Sequence, residues 1–71
     1  MRQYTIIFER GESSWGAYVP DLPVCFAAAG TREEVEKLIR EAVDLHVQDL
    51  HSRGEPIPEP THFATSIEVA A

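Results

Sequence analysis

From Tyr4 to Glu9 the chain alternates, with Tyr4, Ile6 and Phe8 on one side and Thr5, Ile7 and Glu9 on the other. A period of two in a run rich in β-branched and aromatic residues predicts a strand. Gly11-Glu12-Ser13-Ser14 is a turn cluster, and Trp15 to Val19 returns as the antiparallel partner of a hairpin. Pro20 has no N–H to give to a ladder, so the second strand ends there or lies on an edge. After Asp21-Leu22-Pro23, a further apolar run from Val24 to Ala28 predicts a third strand and completes a meander.

The period then changes from two to about 3.6. Val35, Leu38, Ile39, Ala42, Leu45 and Leu50 recur at helical spacing, and Val43 and Val47 widen the stripe. Thr31 is a good N-cap, and Glu34 three residues later gives the capping-box arrangement. Glu33 and Glu34 lie in the first turn, where the helix dipole favours carboxylates. Gly54 suits the position just past the C-terminus, with Pro56 blocking continuation. These signals predict one helix from Arg32 to Ser52. Prolines at every second position from Pro56 to Pro60 then predict an extended connector. Phe63, Thr65, Ile67 and Val69 alternate within His62 to Val69, which predicts a fourth strand, beside the sheet or on another subunit's edge.

The expected fold class is therefore α+β: a small antiparallel sheet in the order β-β-β-α-β, with one helix across one face. Residues 1–71 read as a single domain. A chain of 71 residues buries only about 60% of its unfolded surface, which leaves it marginal alone. The single cysteine, Cys25, allows no intrachain disulfide, so added burial must come from self-association or a partner. A homodimer or tetramer is the expectation.

Charge narrows the partners. The net charge is -6, and the six basic residues (Arg2, Arg10, Arg32, Lys37, Arg40, Arg53) are scattered. Nucleic-acid binding needs clustered Lys and Arg to neutralise phosphates, so no direct nucleic-acid contact is expected. An acidic surface suits solubility or a basic partner. No apolar run approaches the roughly 18 residues of a membrane span. The N-terminal apolar run stops at Glu9-Arg10 without a small-residue cleavage site, which reads as a strand of a cytoplasmic protein.

Candidate chemistry is sparse. His46 and His51 are five apart on the helix and do not stack as i, i+4 ligands would; His62 lies beyond the connector. Solvated or partner-facing histidines outweigh a zinc site, and no metal or cofactor is expected. Cys25, among Val24, Phe26 and Ala27, reads as a buried inert thiol. Asp21 and Glu9 are the candidates for paired carboxylates, but Asp between two prolines is also a natural turn cap. No further acidic residue at a strand position converges with them, so no catalytic residue is assigned. Trp15 and Tyr18, near Tyr4 and Phe8, offer either a base-stacking platform or, more simply, core packing and an apolar patch for a partner.

The order of these motifs resembles the HicB-like antitoxin family from Tyr4 to Pro60. The residues that carry it are Trp15 and Tyr18 in the second strand, Pro20-Asp21-Leu22-Pro23, Cys25, Thr31-Arg32-Glu33-Glu34 and Gly54-Glu55-Pro56-Ile57-Pro58. The chain departs from the family pattern in having Val24 before the cysteine and Ala29-Gly30 before the threonine. The resemblance implies a partial ribonuclease-H-like fold. It also implies an antitoxin that binds a small, basic, HicA-type, mRNA-cutting toxin, here in a short form without a DNA-binding domain. On that basis Trp15, Tyr18, Pro20, Asp21, Leu22, Pro23, Thr31 and Glu34 are family-motif positions, structural or partner-facing. The alternatives are an orphan oligomeric domain acting as a regulatory or ligand-binding module and, more weakly, a nuclease-like enzyme.

Overall fold

The computed structural model describes residues 2–71, in which β1 (Ile7–Arg10), β2 (Trp15–Val19), β3 (Leu22–Ala29) and α1 (Arg32–Ser52) follow in order. The strands form one antiparallel sheet with β2 in the middle. Ile7 pairs with Tyr18 and Tyr18 with Phe26, while Phe8 pairs with Ala17 and Ala17 with Ala27. Neighbouring rows point to opposite faces. The Phe8-Ala17-Ala27 row packs into the core, whereas Tyr18 and Phe26 stay exposed on the other side. The α+β architecture is the one expected.

Helix α1 starts where the polar pattern places it. The Thr31 hydroxyl accepts from the Glu34 N–H at 3.1 Å and donates to the Glu34 carboxylate at 3.1 Å. At the other end Gly54 has φ 68, and its N–H bonds to the His51 carbonyl while the Glu55 N–H reaches the Leu50 carbonyl. Those two bonds are the Schellman closure, and the positive φ is why glycine stands there. Val35 and Ile39 are fully buried, and with Ala17, Val19, Leu22 and Cys25 they make the core. Burying side chains of this size contributes on the order of 1.5–3 kcal/mol each before conformational entropy is charged.

Two stripe residues are exposed. Leu38 and Leu45 are 43% and 68% exposed. The buried line runs Val35, Ile39, Val43, Val47 and Leu50, and the exposed leucines sit about 120–140° around the helix from its centre. The helix lies over β3 and β2. A cylinder about 10 Å wide covers roughly two strands spaced about 4.8 Å apart, which leaves the β1 side of the sheet less covered.

Strand boundaries also shift. β1 begins at Ile7 instead of Tyr4, because its partner β2 turns away at Val19, just past the Ile7–Tyr18 pair. Tyr4 and Ile6 still pack against the core without a ladder. β3 begins at Leu22 and includes Pro23, which is tolerated because β3 is an edge.

The expected fourth strand is not added to this sheet. Residues 53–71 contain no strand. The connector is instead held by side chains: Arg2 to Glu59 at 2.7 Å, the Tyr4 hydroxyl to the Pro58 carbonyl, and the Thr5 hydroxyl to the His62 carbonyl at 2.8 Å. Beyond His62 no such tie is made among the described residues, and Phe63, Ile67 and Val69 are 82%, 84% and 76% exposed. The radius of gyration, 13.9 Å, exceeds the about 11 Å of a compact chain this long. Alternation gives this segment the habit of a strand; its own sheet supplies no ladder for it.

Candidate partner-binding surface

The Pro20-Asp21-Leu22-Pro23 motif divides its work by residue. Pro20 and Asp21 make the link between Val19 and Leu22, which pair with each other. Leu22 is fully buried in the core, and Pro23 is exposed on the edge strand. Asp21 does something the sequence did not reveal. Its carboxylate accepts from the Thr61 N–H at 3.0 Å, the Thr61 hydroxyl at 2.7 Å and the His62 N–H at 3.1 Å. His62 Nδ1 lies 2.7 Å from Oδ1. An ionised carboxylate can only accept, so the ring presents its Nδ1–H. Only 5% of the Asp21 side chain remains exposed.

Asp21 is thus a cap, as its place between prolines suggested, but for a segment 40 residues further on. The Thr61 and His62 hydrogen bonds hold its carboxyl well below the usual carboxylate range, against a smaller opposing effect of desolvation. Thr61 had no signal in the sequence, and His62 drew notice only as a metal candidate. No spacing rule links a turn to a connector so distant.

Other candidate residues separate. Glu9 pairs with Gly16, three positions along β2 from Val19, so it stands about 10 Å or more along the sheet from the Asp21 end. The two carboxylates do not meet. Among the described residues no three His, Cys, Asp or Glu gather as metal ligands. Cys25 is buried, its thiol within 3.8 Å of the Ala42 carbonyl, and burial pushes its pKa up, away from a reactive thiolate.

The aromatics divide between the two faces of the sheet. Trp15, Tyr4 and Phe8 pack on the core side, where Arg32 stands 4.3 Å above the Phe8 ring. Tyr18 lies on the opposite face with Phe26, so Trp15 and Tyr18 do not form one stacking platform. The open face instead carries Tyr18 at 41%, Phe26 at 74% and Val24 at 63% exposure. A row of exposed apolar side chains across adjacent strands is the kind of surface that partners cover. Thr31 and Glu34 serve the helix start and are exposed. Among the described residues no helix is long and apolar enough to cross a membrane.

Comparison with known proteins finds relatives of the sequence. The chain is 30% identical over 56 residues to an uncharacterised 14.9 kDa protein from the rep–hol intergenic region of Haemophilus phage HP1, and 33% identical over 57 residues to a UPF0150 protein of Thermoplasma acidophilum. Each match covers 79% of this chain. The chain spans 42% of the length of the phage protein and 83% of the Thermoplasma protein. No solved structure gives a significant match. A family model described as a HicB-like antitoxin of bacterial toxin–antitoxin systems matches residues 4–70, from the first core aromatic through the extended C-terminal segment. The motif order, the fold and this match place the chain in the HicB-like antitoxin family.

Proposed function

We propose that this protein neutralises a small, basic, HicA-type toxin that cuts mRNA, by covering the toxin's RNA-binding face or catalytic residue. The observation that carries this reading is the family match across residues 4–70. A net charge of -6 supports it, since an acidic protein is suited to a basic ligand. The open-face row of Val24, Tyr18 and Phe26 adds apolar surface for the same encounter. The antitoxin acts in the cytoplasm as a homodimer or tetramer, without metal or cofactor and with no nucleic-acid contact of its own. It performs no chemistry; inhibition is steric.

The test is co-expression with the product of a small basic reading frame beside the gene. A complex should co-purify, and in it the toxin should neither bind nor cleave RNA. A complex whose toxin still binds RNA would reject occlusion, and failure of any complex to form would favour the orphan-module reading.

A further inference from the structure

Gly16 stands in the middle of the central strand with no duty to its own chain. The positive φ belongs to Gly54, not to Gly16, and the register irregularity of β2 falls further on, between Tyr18 and Val19. A Cβ at Gly16 would meet nothing nearer than the Ala27 carbonyl oxygen at 3.9 Å, an ordinary contact. Glycine inside a strand weakens it. Where no bend or bulge calls for one, it marks a place that another group approaches closely.

The neighbours of Gly16 define that group. On the open face Glu9, Gly16 and Ala28 form one cross-strand row, and Ile7, Tyr18 and Phe26 form the next. Successive rows on one face lie about 7 Å apart along the strands. Gly16 and Ala28 therefore make a low floor, with the Tyr18 and Phe26 rings as a wall and Glu9 at the β1 end. Glu9 is exposed and makes no ion pair among the described residues. It lies diagonally across from Tyr18, at a separation of about 7–8 Å that long side chains span. A flat cation laid on this floor has a carboxylate at one edge and an aromatic ring beside it. Arginine suits the place better than lysine, because a guanidinium meets a carboxylate through two parallel N–H groups and stacks on aromatic rings.

We propose that the basic partner docks on the open face, where Glu9, Gly16 and Tyr18 seat one of its arginines and Val24 and Phe26 take the apolar side chains beside it. This assignment rests on the toxin-neutralising reading and supplies the surface and chemistry of the contact. A second copy of the chain does not fill the seat. The strands present Glu9 on this face but no Lys or Arg, since Arg10 falls in the row of Trp15, on the helix side. The cation must come from a different protein.

The probe is the product of a small basic reading frame beside the gene, purified and titrated by calorimetry at about 0.15 M salt. Gly16→Val places a β-branched side chain on the floor. The chain has room for it, so the free variant should melt no lower than wild type, yet bind the probe at least about tenfold more weakly. Glu9→Gln should also weaken binding about tenfold. Glu41→Gln removes the same charge from an exposed position on the helix and should weaken it by less than about twofold. A wild type that binds no such product rejects the toxin reading, and the seat with it. A wild type that binds, together with a Gly16→Val variant that binds as well, rejects the seat alone. Should Gly16→Val melt lower than wild type, the glutamate pair decides, and equal losses at Glu9 and Glu41 overturn the proposal.

Discussion

Asp21 holds two distant parts of the chain together through one side chain. Its carboxyl has a depressed pKa in the folded state, so its contribution to stability is fully present above the ordinary carboxylate value of about 3.9 and is lost as pH falls toward the folded value. The connector should therefore stay clasped from neutral pH down to about pH 4 and loosen below it. The protection of the Thr61 and His62 amides, relative to intrinsic exchange at each pH, should fall on acidification before that of the core does. Asp21→Asn should speed exchange at the same two amides at neutral pH and flatten that pH dependence, because an amide offers one acceptor oxygen in place of two. Unchanged protection would show that the connector is held by Arg2, Tyr4 and Thr5 alone. Local chemistry made Asp21 legible as a cap. The identity of what it caps was not, because that depends on where β2, β3 and the proline connector converge in space.

Among the elements, the helix was the most legible, since its cap, its closing glycine and its period all agree. Its rotation was less so. Eight apolar residues admit more than one choice of buried face, and only contact with β2 and β3 selects Val35 and Ile39 over Leu38. Ile39→Ala should cost about 2–5 kcal/mol, whereas Leu38→Ala, at a position 43% exposed, should cost roughly 1 kcal/mol or less. Urea midpoints of the two variants test this, and equal losses would mean the helix packs on a different line. The last segment adds no strand to this sheet for a related reason. Alternation reports a tendency to pair but not the location of the partner, and Phe63 to Val69 has none among the strands of its own sheet.

At the scale of the whole molecule, charge decides encounter and apolar surface decides residence. With a net charge of -6, association with the proposed basic toxin should be fast at low salt and slow steeply as ionic strength rises. Dissociation should change little over the same range. Stopped-flow association between about 20 and 500 mM salt would measure both, and an on-rate indifferent to salt would shift recognition onto the Tyr18 and Phe26 face.

Pro23 bears on a hazard of its own. β3 is an outer strand with Val24 and Phe26 bare on its open face, the sort of border onto which further chains stack without limit. A proline at its start withholds one donor, and the register irregularity between Tyr18 and Val19 bends the ribbon beside it. These two features discourage growth of the sheet on this border, and with it the assembly of fibres. Pro23→Val should leave the fold intact yet shorten the lag before thioflavin-positive material forms in concentrated solution.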